Sequence, residues 1–324
     1  MCMTGWYLSR FAAVAIICAV TAALANCSRV LFATLNVPTY VGTYKRYADI
    51  PYAAGPRHSL DVYVPRRAER RPVVVFWYGG TWVKGTKDWY RFVGASLANS
   101  GYIAILPDYR LYPQTRFPGF IEDGAEAVKW AREHVSDLGG DRDAIFLMGH
   151  SAGAHLAATL ALDPRYLRAV GGDARWIRGW IGLSGPYALD THIASYPVLR
   201  KIFSEPYVAT DWQLIEHVHA RSSPALLIHG TNDIFPTDVI TMDRELRAAG
   251  NHVDCYFYDG VSHTDTVSAF SLPLRFEAPS LGDVRRFIDR TLADSAVADG
   301  TAAGIPCPEL RVNERWNKVE LANR

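Results

Sequence analysis

Ser151 stands in the pentapeptide Gly149–Gly153, between the apolar run "AIFLM" and a stretch rich in alanine and leucine, "AHLAATLAL". A serine hydroxyl is a weak nucleophile. To attack a carbonyl it needs a base to take its proton, a group that orients the base, and donors that hold the oxyanion. The pattern G-x-S-x-G carries meaning when a strand precedes it and a helix follows, and the flanking runs predict that order. The glycines have a physical reason, because strand and helix can close over a strained serine only if its neighbours lack side chains. The amides of the following helix start favour developing negative charge.

Partners for the serine should come later in the chain. His263, in "DGVSHTD", follows the last predicted strand, and Asp233, in "LLIHGTNDIFP", follows the one before it. Alone, each reads as an ordinary loop residue. Together they give the order Ser151, Asp233, His263, each at the end of a predicted parallel strand, where open α/β sheets place their sites. Asp259 and Asp265 are rival acids. "FWYGGTW" (76–82) offers two glycines after the first central strand, so the backbone N–H groups of Gly80 and Thr81, with that of Ala152, are candidate oxyanion donors. Losing one such donor typically costs about 3 kcal/mol of barrier, roughly a hundredfold in rate. Trp82, His150, Tyr187, Trp212 and Phe235 are candidates to line the substrate pocket, although aromatic side chains bury well anywhere.

These residues need a scaffold that brings strand ends together. Residues 45–64 read as an antiparallel pair around a Gly-Pro turn. Strand and helix signals then alternate. Strands are expected at 72–78, 102–109, 144–149, 177–185, 225–230 and 253–260. Helices are expected at 88–101, 119–140, after Ser151, at 238–251 and at 281–295. Short, nearly all-apolar strands in alternation with helices predict an α/β fold, a mostly parallel central sheet covered on both faces. The irregular stretch 186–224 is rich in aromatics and reads as a packed lid. Periodicity is lost in the tail, 296–324.

The chain has 324 residues, a net charge of +1, 49% hydrophobic and 21% charged residues, the composition of a globular protein with a sizeable core. No basic stripe supports nucleic-acid binding. The five cysteines form no C-x-x-C, which argues against a disulfide framework or a cysteine zinc site. There is no H-E-x-x-H; His150, His155, His217 and His219 lack carboxylates at metal-binding spacing, and no phosphate-cradling loop appears. No metal and no cofactor are expected. At the N-terminus Arg10 precedes the uncharged run 11–25, in the order of an export signal. As a helix that run reaches only ~22 Å, short of a ~30 Å hydrocarbon core. The division expected is a leader over 1–27, a catalytic domain over 28–295 and the tail. The protein is expected to be exported, to the periplasm or cell envelope.

The motifs "YGGTW" (78–82), "PDYRLYPQTRFP" (107–118), "GHSAGAH" (149–155), "HGTND" (229–233) and "SH" (262–263) resemble those of the α/β-hydrolase fold. Within it they resemble the carboxylesterase and lipase branch that includes the hormone-sensitive-lipase-like and feruloyl-esterase-like families. The resemblance spans nearly all of residues 45–295. It implies a serine esterase acting on a small-molecule ester, with Ser151 as nucleophile, His263 as base and Asp233 as orienting acid. "LANC" (24–27) resembles a bacterial lipoprotein box, with Asn26 where a smaller residue is usual; it implies lipidation of Cys27 and attachment to a membrane. The family usually has histidine at the position of Tyr78, thought to brace the oxyanion loop. Asp108 and Arg110 are expected to pair with each other in a structural role. The same residues would serve an amidase, a formamidase or an acyltransferase. A non-catalytic binding protein of this fold is the reading from another class, disfavoured by the intact set.

Overall fold

The computed structural model describes residues 31–40, 42–193 and 196–298. The expected leader, Cys27 and all but the first residues of the expected tail lie outside them. Eight strands form one sheet: β1 (Tyr44–Pro51), β2 (Ser59–Pro65), β3 (Arg71–Trp77), β4 (Ile103–Pro107), β5 (Gly140–His150), β6 (Ile177–Leu183), β7 (Ala225–Asn232) and β8 (Val253–Ser262). Their order is β1-β2-β4-β3-β5-β6-β7-β8. β1 and β2 are antiparallel, as is β2 with β4, and all other pairs are parallel. β3 to β6 are almost wholly buried, which is why their sequences are continuous apolar runs rather than alternating ones. β1, at the edge, keeps Lys45 and Arg46 and stays largely exposed, a composition that discourages further strand pairing.

Five longer helices, α1 (Arg91–Asn99), α2 (Gly119–His134), α3 (Ala152–Leu162), α4 (Pro236–Ala248) and α5 (Ser280–Ala298), connect and cover the strands. Every residue of α3 is buried, so it is apolar all round rather than amphipathic. It packs so closely on α2 that a Cβ at Gly124 would sit 2.7 Å from Leu156.

The stretch 186–224 is less irregular than its sequence suggests. It carries short helical turns at Asp190–Ile193, Leu199–Ile202, Ala209–Trp212 and Leu214–His217. None is long enough to give a periodic apolar pattern. Leu199, Ile202, Phe203, Trp212 and Leu214 are nevertheless buried. Asp238, at the start of α4, ties the lid down by accepting from the N–H groups of Tyr187 and Ala188 and bonding His192 Nε2 at 2.8 Å.

Candidate active site

Ser151 sits between β5 and α3 with φ 54° and ψ −121°, a conformation that L-residues rarely adopt. Its N–H donates to Leu183 O at 2.9 Å. The flanking glycines are dictated by space. A Cβ at Gly149 would lie 2.0 Å from Gly153 O, and one at Gly153 would lie 2.0 Å from Trp77 O.

The structure brings the three expected side chains together. Ser151 Oγ is 2.9 Å from His263 Nε2, and His263 Nδ1 is 2.7 Å from Asp233 Oδ1. The carboxylate can only accept, so Nδ1 carries the proton and Nε2 is left to accept from the serine hydroxyl. The same Asp233 oxygen accepts from Ile234 N. Burial pushes the Asp233 pKa up, but the hydrogen bond and charge of His263 prevail and hold it down at about 2, with smaller help from His229 and Ser184. Asp259 and Asp265 are occupied elsewhere, by Thr231 Oγ1 and Ser262 N.

His229, unnoticed in the sequence, lies beneath the acid. Its Nδ1 is 3.3 Å from Asp233 Oδ2, within ion-pair range, but the angle makes no hydrogen bond among the described residues. The motif "HGTND" was its only signal.

The loop after β3 carries the expected oxyanion donors. Gly80, Thr81 and Trp82 all have positive φ, 133°, 55° and 57°. A Cβ at Gly80 would lie 2.0 Å from Lys84 O, so glycine is required there on two counts. Gly79 abuts the serine: its added Cβ would be 2.9 Å from both Ser151 Cβ and His150 Nδ1. Among the described residues, the N–H groups of Gly80 and Thr81 donate to no backbone acceptor.

Tyr78 braces this loop in a way the sequence left open. Its ring is stacked between Tyr109 and Tyr90, at centroid distances of 4.7 and 5.8 Å. Its hydroxyl donates to Asp108 Oδ1 at 2.8 Å and accepts from Arg57 at 2.6 Å. Arg57 also donates to Tyr109 O and Gly85 O, and Asp108 accepts from Lys87 N. The expected Asp108–Arg110 pair is therefore corrected. Arg57 approaches Asp108 at 3.5 Å, while Arg110 turns to Asp123 on α2 at 2.6 Å. The chain has left β4 at Pro107, and each side chain takes the partner its own direction offers.

The pocket candidates divide. Phe235 is half-buried with its ring 6.0 Å from His263, so it can form a wall. His150 is buried and its Nε2 donates to His263 O at 2.8 Å; desolvation, with the nearby His263, lowers its pKa to about 3. Trp82 and Trp212 pack with Phe203 and Phe117 in an aromatic cluster and are almost closed to solvent. Tyr187 is wholly buried against Trp180 and beside Gly182 and Gly185. It is a core residue rather than a pocket wall, because two adjacent glycines leave the space its ring fills. Among the described residues no cluster of histidine, cysteine and acidic side chains could hold a metal.

A proton relay ending on a strained serine, facing a glycine loop with free amides, can perform acyl transfer. Comparison with known proteins agrees. The family described as BD-FAE matches residues 60–168. The chain is similar to esterase B of Lactobacillus rhamnosis in fold, with a TM-score of 0.75 at 20% identity over 91% of this chain and 100% of that one. It is 33% identical over 214 residues to esterase LipC of Mycobacterium tuberculosis, covering 59% of this chain and 52% of LipC. It is 32% identical over 323 residues to the probable isoprenylcysteine alpha-carbonyl methylesterase ICME of Oryza sativa subsp. japonica, covering 91% of this chain and 77% of that protein. Fold and relatives together define an α/β-hydrolase that hydrolyses carboxylic esters. Within that class, the chain belongs to the esterase family of the isoprenylcysteine alpha-carbonyl methylesterases.

Proposed function

We propose that the chain hydrolyses esters through an acyl-enzyme on Ser151. His263 Nε2 takes the hydroxyl proton as Oγ attacks the carbonyl. Asp233 keeps the imidazole in the productive tautomer and stabilises the imidazolium. The N–H groups of Gly80, Thr81 and Ala152 receive the oxyanion. His263 then gives its proton to the departing alkoxide, which leaves as the alcohol. Water, deprotonated by the same histidine, attacks the acyl-enzyme and releases the acid. The observation that supports this reading most directly is the unbroken pair of hydrogen bonds from Ser151 to His263 and from His263 to Asp233, 2.9 and 2.7 Å.

The name of the rice relative motivates the substrate class: an ester whose alcohol is small, methanol, and whose acid is bulky and apolar. The test is turnover of aryl esters from acetate to decanoate, beside S-farnesylcysteine methyl ester, for wild type and Ser151→Ala. Loss of roughly 10⁴-fold or more in kcat is expected on every cleaved substrate. Equal turnover by wild type and Ser151→Ala would sink the mechanism. Failure to cleave the methyl ester, with aryl esters still cleaved, would sink only the substrate class.

A further inference from the structure

The large apolar side chains left exposed are unevenly distributed. Among the described residues, Leu31 is 52% exposed, Val37 61%, Ile234 56%, Leu272 62% and Phe276 84%. Ile234 adjoins the acid Asp233 at the carboxyl end of β7. Leu272 and Phe276 lie on the segment that follows His263 and the short helix Asp265–Ser268. Val83, on the glycine loop, and Tyr196 and Val208, in the lid, are also exposed. The segments that carry Val83, the lid residues, Ile234, Leu272 and Phe276 leave the sheet at the carboxyl ends of β3, β6, β7 and β8, the edge that holds Ser151, and Ile240, 38% exposed, lies in the second turn of α4; Leu31 and Val37 precede β1. The opposite edge is charged: Arg66, Arg67, Arg70, Arg71 and Arg142 are exposed there, around the starts of β3 and β5.

The described chain also enters at the apolar edge. Phe32 stacks on Trp89 at 5.0 Å, Leu35 is buried, and Ser271 donates to Leu35 O. Asn36 accepts from Phe92 N at the start of α1, and Thr43 reaches Asn99 at its end. Residues 31–40 and 42–43 therefore run along α1 from the carboxyl edge downwards, and Leu35 lies against Ser271, the chain neighbour of the exposed Leu272. The uncharged run 11–25 ends six residues before Leu31.

We propose that this face seats on a lipid bilayer, with Leu31, Val37, Leu272 and Phe276 dipping into the interface and the site mouth turned towards the membrane. The inference rests on the ester-hydrolase reading for its consequence, that substrate is drawn from the bilayer. Large exposed apolar patches mark interaction surfaces. A lipid surface is favoured over a second copy of the chain because the uncharged run 11–25 joins the fold at this edge, while the arginine-rich edge points to water. Apolar side chains at an interface add to whatever anchoring the N-terminus supplies.

The full chain, reconstituted in phosphatidylcholine vesicles, carries the photocrosslinker p-benzoylphenylalanine at position 276 or, as control, at position 70. Phospholipid adducts at 276 and none at 70 are expected. Adducts at 276 to a second copy or to the chain's own tail, no adduct there, or equal lipid labelling at 70 would each overturn the proposal. These crosslinks are independent of turnover. In a second arm, the double variant Leu272→Ser, Phe276→Ser should raise the half-saturating concentration of a vesicle-borne long-chain ester about tenfold. Its turnover of soluble aryl acetate should match wild type. An equal loss on both substrates overturns the proposal, whereas a wild type inert on both overturns the ester-hydrolase reading and leaves the crosslinks to decide orientation.

Discussion

The loop segment from Tyr78 to Trp82 is held at its two ends by different physics. At the first end, Tyr78 is fixed by hydrogen bonds to Asp108 and Arg57 and clamped between two tyrosines. At Trp82, the support is the aromatic cluster of Phe120, His155 and Phe203. One polar contact joins it there, from Tyr112 N to Trp82 O at 2.8 Å. Hydrogen bonds are directional and fix orientation. Apolar packing is not directional and supplies mainly free energy. The polar end should therefore govern where the loop amides point, and the aromatic end should govern how stable the lid side is.

Separating stability from turnover tests that division. The largest stability effect is expected from Trp82→Ala, about 3–5 kcal/mol by urea denaturation, with kcat on aryl acetate falling less than tenfold. Asp108→Ala should cost less stability, about 2–3 kcal/mol, since it strands the hydroxyl of Tyr78 and the N–H of Lys87. Yet it should lower kcat by roughly a hundredfold, the magnitude of a displaced oxyanion donor. If the two variants lose kcat in proportion to stability, the two ends are equivalent and the comparison fails.

Acid provides the smaller and finer test. His155, at the aromatic end, is buried, and desolvation lowers its pKa to about 4, from an ordinary value of 6.5. The unfolded chain takes up a proton near pH 6.5 that the folded chain refuses until about pH 4. Stability present above pH 6.5 is thus lost as pH falls through that window, at up to about 1.4 kcal/mol per pH unit. Asp108, at the polar end, is shifted in the opposite sense: burial raises its pKa despite the Lys87 and Tyr78 hydrogen bonds. Acidification towards that raised value therefore adds stability there. Between pH 7 and pH 5, His155→Gln should lose about 2 kcal/mol less stability than wild type. Identical losses would show that the aromatic end is not the acid-sensitive one. His150, lowered to about 3 by burial and His263, adds a slope common to both proteins.

Much of the site was legible because its signals are local. Ser151 is announced by glycines that β5 and α3 cannot do without, Asp233 follows the apolar run Ala225–Ile228 of β7, and His263 follows the aromatic-rich β8. The antiparallel start and the alternation of strands and helices were readable for the same reason. What stayed hidden depends on distant segments meeting. Arg57, from the β1–β2 turn, reaches Tyr78 across 21 positions, and no local pattern marks it. Asp108 and Arg110 look like a pair because they are close in sequence, but Arg57 and Asp123 are closer in space. Tyr187 could not be told from a pocket wall, since a buried aromatic and a lining one have the same letter. The lid's short turns, four residues each, were too brief for a period to show.

Ser151, Ser184, Thr81 and Trp82 all hold positive φ without being glycine. Such backbone conformations cost free energy that the rest of the fold must offset. Among descendants of this gene, the cheapest route to greater heat resistance would run through these positions, with glycine replacing Ser151 the most direct step. On the proposed mechanism, drift under selection for durability alone would therefore tend to extinguish the hydrolase first and leave a sturdier, silent copy of the same fold.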